Sequence, residues 1–278
     1  MKMTRAEFLD WPHKVITLMG MSGVGKTTLA SLLPSTDWLH YSADYRIGTR
    51  YLKEPILDNI KQQAMQQPFL RDLILSDSIS FRSNITFHHL KPVATFLGKV
   101  GNPDLGGLSL DDFKRRQHLH RAAEVQATID VAEFIKKARV IYGRAHFLND
   151  TGGSICELDD EEAWEQLSRQ SLILYLKADE KMEEMMIERA QADPKPLFYD
   201  DDFLADHISK FLELKGLSHS DDINPDEYVK WVFPSLIAHR RPLYERITKK
   251  YGYTIDARKV LAVKSEQDVM ELISDALQ

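Results

Sequence analysis

Between positions 20 and 28 the chain reads Gly-Met-Ser-Gly-Val-Gly-Lys-Thr-Thr. The spacing Gly20-x4-Gly25-Lys26-Thr27 is that of a loop that wraps phosphate groups. Backbone N–H groups must converge on phosphate oxygens in such a loop, so side chains have to stay out of the way. Glycines at 20, 23 and 25 permit that approach and the dihedrals it requires. Lys26 would bring a mobile cation to the β- and γ-phosphates, and Thr27 a hydroxyl to Mg²⁺. The set Gly20, Ser22, Gly23, Val24, Gly25, Lys26, Thr27 and Thr28 is therefore expected to bind ATP with Mg²⁺. A chance match is expected in roughly one chain in a hundred of this length. Here the match also follows an apolar run at 15–19 and precedes a helical pattern, which is the context the chemistry needs.

A second group of residues could complete that site. His146-Phe-Leu-Asn-Asp150 is a strand-like run ending in an acid. An aspartate at such a strand end can complete a Mg²⁺ site beside Thr27. Thr151-Gly-Gly-Ser154 follows at once, and Gly152 and Gly153 would let the backbone close on a transferred phosphoryl group or its acceptor. An Asp-initiated tight turn is the plainer reading of the same residues. The paired histidines, His88-His89 and His118-x-His120, do not share a helix face within either pair and are not expected to hold a metal. Cys156, the single cysteine, is expected to be a half-buried filler.

The elements that must position these residues alternate. Runs at 15–19, 38–42, 145–149, 172–176 and 253–256 read as strands. Helical patterns occupy 54–67, 92–100, a long stretch from the cap Ser109 to 142, and 159–169. Others follow at 180–191, 201–214, 225–250 and 265–277. Pro234 and Pro242 are expected to kink or divide the 225–250 stretch. Residues 68–91 have no clear pattern, and Asp193-Pro-Lys-Pro-Leu197 reads as a loop. Short strands alternating with helices predict an α/β fold with three layers, a mostly parallel sheet covered on both faces. The motif loops then lie at the C-terminal ends of the first three strands, where such sheets bind ligands.

Composition narrows the class. The 278 residues are 28% charged and 43% hydrophobic, which suits a soluble globular chain with a sizeable core. A net charge of -6 counts against a general nucleic-acid partner. No stretch approaches the roughly 18 apolar residues of a membrane span. A cytoplasmic protein without a membrane partner is expected, and the sequence sets no oligomeric state.

Five blocks, in order, resemble the shikimate kinase group of small-molecule P-loop kinases, over about half the chain. The phosphate loop is the first. Ser42-Ala-Asp44 is similar to the family's Asp-x-Asp, whose second aspartate holds the acceptor hydroxyl. Asp44 matches it, and Ser42 replaces the first. Thr151-Gly-Gly-Ser154 resembles the family's triple glycine, with Ser154 in the third place. Arg189 followed by Pro194-Lys-Pro-Leu197 resembles the lid, with Lys195 where an arginine is expected; lysine keeps the charge but loses the bidentate fork. Arg240-Arg-Pro-Leu-Tyr244 resembles the segment whose first arginine binds the acceptor's carboxylate.

The resemblance implies a P-loop NTPase fold and transfer from ATP·Mg²⁺ to a hydroxyl of a small anionic acceptor other than shikimate. Lys26, Asp44, Arg189 and Lys195 would act in transfer. Asp44, Gly152, Gly153 and Arg240 would bind the acceptor, and Thr27 and Asp150 the metal. The core is expected to span 1–52 and 143–278, with a lid near 189–200. Residues 53–142 would form a helical insertion on the acceptor side. Arg115, Arg116 or Arg121 in that insertion is a candidate for gripping the acceptor acid. A nucleotide-dependent ATPase or switch acting on a protein or RNA partner is the alternative, as is a kinase acting on a nucleoside or an RNA end.

Overall fold

The apolar run at 15–19 becomes the central strand of a five-stranded sheet. All five of its residues are buried, as a strand covered on both faces requires. The computed structural model describes residues 1–158 and 160–277. In chain order the elements are α1 (Arg5–Asp10), β1 (Val15–Met19), α2 (Lys26–Ser31), β2 (Trp38–Ser42) and α3 (Ala43–Arg46). A π-helical turn (Ile47–Tyr51) continues α3. Next come α4 (Lys53–Ala64), α5 (Pro68–Leu75), α6 (Lys91–Leu97), α7 (Leu110–Val140), β3 (His146–Asp150), α8 (Glu161–Gln170) and β4 (Leu172–Lys177). The chain closes with α9 (Glu180–Ala192), α10 (Asp201–Lys215), α11 (Pro225–Tyr251), β5 (Gly252–Asp256) and α12 (Glu266–Ala276). Asp159, the expected start of the helix after β3, lies outside the described residues; Asp160 caps α8 instead.

All five strands run parallel in the order β2-β3-β1-β4-β5. With the glycine loop between its central strand and α2, this is an α/β fold with a P-loop and helices on both faces. The register puts the chemistry at one edge. Leu18 of β1 lies level with Asp150 of β3, and Asp150 level with Ser42 of β2. The loops leaving β1, β2 and β3 therefore start side by side, at the carboxyl ends where parallel sheets bind ligands. Inside the sheet Thr17 exchanges a hydrogen bond with Ser171 (2.9 Å) and accepts one from Asn149 (3.3 Å), so a polar residue in the central strand has partners.

The helix α7 is a single unbroken element. Ser109 caps it by accepting from the Asp112 amide, and Asp111 and Asp112 complement its N-terminal dipole. Its buried residues join three apolar clusters in turn. Phe113 belongs to a cluster with α10 and the first half of α11, and Ala123 and Ala127 to one with residues 47–96. Val131 and Ala138 belong to the main cluster on the sheet. The second half of α7 thus packs on the sheet. Among the described residues, no helix is long and apolar enough to cross a membrane.

The expected break in α11 does not occur; 27 residues form one helix through Pro234 and Pro242. Both prolines face solvent, so neither ring is forced into the core. Pro234 has no N–H to offer the carbonyl of Lys230, one turn back. That carbonyl instead accepts from the side chain of Gln191 in α9, at 2.9 Å. Gln191→Ala should lower stability by about 1 kcal/mol. In a Pro234→Ala background, where the backbone supplies the donor, the same change should cost much less. Denaturant unfolding of the four variants reads this directly, and equal losses in both backgrounds would rule out the compensation.

Candidate functional site

The phosphate loop needs its glycines for steric reasons that are visible atom by atom. Gly20 has φ +147°, and a Cβ there would sit 2.7 Å from the carbonyl oxygen of Leu176. Gly25, at φ +103°, caps α2, and a Cβ would sit 2.8 Å from Val260. The Lys26 ammonium is buried and donates to the carbonyls of Gly20 (2.7 Å) and Met21 (3.1 Å). Burial lowers its pKa, while Asp150 and Asp44 pull the other way. Thr27 donates its hydroxyl to Asp150 Oδ2 at 2.9 Å. A hydroxyl and a carboxylate, oxygen donors both, thus meet beneath a glycine cradle, which fits a hard divalent cation such as Mg²⁺. Ser22, Gly23, Gly25 to Thr28, Ser42, Asp44, Asp150, Thr151 and Gly153 line a cavity of about 540 Å³ over this loop, together with Phe87 and His88.

The loop after β3 is pressed between two neighbours. A Cβ on Gly152 would lie 2.7 Å from Glu124 Oε1 and 3.2 Å from Asp44 Oδ1. A Cβ on Gly153 would lie 3.0 Å from the Ser22 amide nitrogen, so this backbone abuts the phosphate loop itself. Tyr244, stacked on Tyr175, donates to the Gly153 carbonyl at 2.8 Å. Asp44 stands in the first turn of α3, whose cap is Ser42, and its carboxyl is held above the usual range by burial, partly offset by Lys26. Ser42 therefore has a structural task in place of the missing aspartate.

Glu124 is the main residue that sequence reasoning missed. It lies fully inside the protein on α7, accepting from Ser154 Oγ with both oxygens, at 3.0 and 2.9 Å. Burial pushes its pKa up to about 8, with Asp44 adding to the effect. Ser154, which stands where a third glycine was expected, is the partner of this carboxyl. The signal was present in the spacing: Phe113, Gln117, His120, Glu124, Ala127 and Val131 fall on one buried stripe of α7, and three of them are polar. His120 lies four residues earlier on the same stripe, stacked on Phe198. Its pKa is lowered to about 4 by burial and by the charge of Arg240.

Arg240 is buried and, with His120 and Phe198, lines a second cavity that adjoins the first. Its Nη2 donates to Glu157 Oε2 at 2.7 Å and to the Phe198 carbonyl at 2.8 Å. Burial works against this charge, but Glu157 outweighs it and the pKa lies above the usual arginine range. Arg189 reaches the phosphate loop: a Cβ on Gly23 would lie 3.6 Å from its Nη1. Lys195 is exposed and 3.5 Å from Asp193. The expectation that Arg115, Arg116 or Arg121 grips an acceptor is corrected. Arg115 is tied to Asp112, Arg121 is exposed, and Arg116 is buried against Asn59 and the Phe96 carbonyl. The helical period turns His120 and Glu124 toward the site instead. Cys156 is fully buried rather than half-buried, and burial raises its thiol pKa.

No protein-family model and no curated protein sequence matches this chain. Among solved structures it is similar to a shikimate kinase from Bacteroides thetaiotaomicron, at 14% identity and a TM-score of 0.42, over 94% of this chain and 95% of that one.

The buried carboxyl of Glu124 makes stability depend on pH with a definite sign. Its pKa in the folded chain lies above the ordinary value of 4.5, so the folded state keeps a proton that the unfolded chain has released. That contribution is complete below 4.5 and is lost as pH rises through about 8. The amide of Glu124→Gln does not titrate, while Asp44 is common to both proteins. Between about pH 5 and about pH 9 the wild type should therefore lose stability relative to Glu124→Gln. Urea unfolding at matched pH values checks it; parallel curves would place the Glu124 pKa near its ordinary value.

Proposed function

We propose that this protein transfers the γ-phosphoryl group of ATP to a hydroxyl of a small acceptor held beside Asp44. The observation that carries the reading is that Asp44 lines both the cavity over the phosphate loop and the adjoining one, at the seam formed by Ser22, Gly23 and Gly153. The hydrogen bond between Thr27 and Asp150 supports the metal side of the same reading. Thr27 and Asp150 would hold Mg²⁺, which when bound would neutralise charge on the phosphate oxygens.

The remaining work falls to the chain's own residues. Amides of the loop from Gly20 to Thr28 bind the phosphates, and Lys26 exchanges its two carbonyl partners for phosphate oxygens. Asp44 orients the acceptor hydroxyl and takes its proton as the oxygen–phosphorus bond forms and the β–γ bridging bond breaks. Burial raises its proton affinity, which favours that task near neutral pH. Gly152 and Gly153 present backbone to the acceptor without a side chain in the way. Arg189, beside Gly23, and Lys195, on the exposed segment after α9, stabilise charge on the group in transit. Closure of that segment would exclude water and limit hydrolysis.

Lys26→Ala should abolish nucleotide turnover, and normal turnover in that variant would sink the reading at its base. Asp44→Asn should still bind nucleotide yet lose about 10²- to 10⁴-fold in transfer. An acceptor screen with γ-labelled ATP measures this, with basal hydrolysis as the control. Hydrolysis that rises only with a protein or RNA would favour a partner-driven ATPase instead.

A further inference from the structure

The cavity beyond Asp44 is large and mostly apolar. It encloses about 590 Å³ between α6, α7, α9 and α11. Val93, Leu97, Met186, Leu197 and Phe233 form its walls, and each belongs to or packs against one of the apolar clusters or neighbours one on α6. The polar residues of its inner end are Asp44, Ser154, His120 and Arg240, while the exposed Arg189, Asp193 and Lys195 line its open part.

Charge at that end is already balanced. The buried cations are Lys26, which faces the phosphate loop, and Arg240, which is paired with Glu157. Asp44 stands within reach of Lys26's charge, and Glu124 carries its proton at neutral pH. His120 is uncharged there. A carboxylate at this inner end would lie beside Asp44 with no unpaired buried cation, and burying an unpaired charge is costly.

We propose that the acceptor is an uncharged alcohol with an apolar body. Its hydroxyl lies at Asp44 and its hydrocarbon portion between α6, α9 and α11. This rests on the kinase reading and revises its anionic acceptor, because Glu157 already answers the charge of Arg240.

Two probes of matched shape test it: 2-(2-naphthyl)ethanol and 6-(2-hydroxyethyl)-2-naphthoate, which adds only a carboxylate. Binding to the full chain is followed by naphthalene fluorescence, with Mg²⁺ and a non-hydrolysable ATP analogue present. The neutral probe should bind at least about tenfold more tightly than its carboxylate counterpart. Ala94→Trp, which fills the cavity from α6, should weaken the neutral probe by about tenfold or more, with a cooperative unfolding transition confirming the fold. Glu157→Gln, which releases the charge of Arg240, should shift the preference toward the carboxylate. Equal or tighter binding of the carboxylate by the wild type, no saturable binding of either probe, or an unchanged affinity in Ala94→Trp each overturns the proposal. Incubation with γ-labelled ATP separates the two readings. A bound alcohol that never acquires label counts against the kinase reading alone. Label passing preferentially to the carboxylate probe counts against the apolar acceptor alone.

Discussion

A guanidinium taken out of water must find its counter-charge inside the protein, and much of the acceptor side is arranged around that need. Arg240 meets Glu157 from the loop after β3 and the carbonyl of Phe198 from the segment after α9. One buried side chain on α11 thereby joins three stretches that are far apart in sequence. The next residue back, His239, reaches Asp200 at 2.8 Å and holds the start of α10. One turn further on, Tyr244 holds the carbonyl of Gly153 against the phosphate loop. A buried pair of this kind adds little net stability over apolar packing, yet removing one partner strands the other. Its value here is positional: it sets where the segment from 193 to 200 is anchored and where it is free. Residues 197–199 are tied to Arg240 and Gln117, whereas Asp193 and Lys195 remain in solvent.

The same logic explains how a helix as long as α7 belongs to the site. Its buried stripe passes from a peripheral cluster to the sheet. Where it passes the loop after β3, the stripe turns polar. Glu124 there meets Ser154 and leaves no room for a Cβ on Gly152. A carboxyl buried beside Asp44 would repel it if ionised, and retention of its proton removes that repulsion. The helix thus contributes shape and a hydrogen bond at the point of closest approach without adding charge.

The parts of this arrangement that could be read from the sequence are those whose partners are close in the chain or fixed by strand register. The phosphate loop is local, and Asp150 follows from it because β1 and β3 are neighbours in register. Asp44 was legible for the same reason, at the end of β2. Glu124 and His120 were not, because periodicity marks them as buried without saying what they meet. Ser154 lies 30 residues from Glu124, and Arg240 lies 83 from Glu157. Arg240 was identified as an acceptor-side residue, but its partner, which changes what it can bind, was invisible. The continuity of α11 was hidden likewise, since the donor that repairs the gap at Pro234 comes from α9. Among the arginines of α7, only the helical phase decides which faces inward, and Arg116 faces inward onto Asn59 instead of the site.

Exposed positive charge, from Arg189 and Lys195, lines the open part of the cavity beyond Asp44, with Arg189 next to the phosphate loop. Arg189 stands beside Gly23 and no buried carboxylate claims it, and the contact of Lys195 with Asp193 is exposed and worth little. These side chains are free to follow a polyanion. At the inner end of that cavity the buried Arg240 is already paired with Glu157, and His120 is uncharged at neutral pH. In the proposed reaction, charge develops on the phosphoryl group and its leaving oxygens, where mobile cations serve best. The acceptor needs only one oriented hydroxyl and a cavity of matching shape. Pairing Arg240 with Glu157 therefore does more than hold α11 in place: in the proposed reaction it leaves the buried end of the cavity without a free cation for an anion.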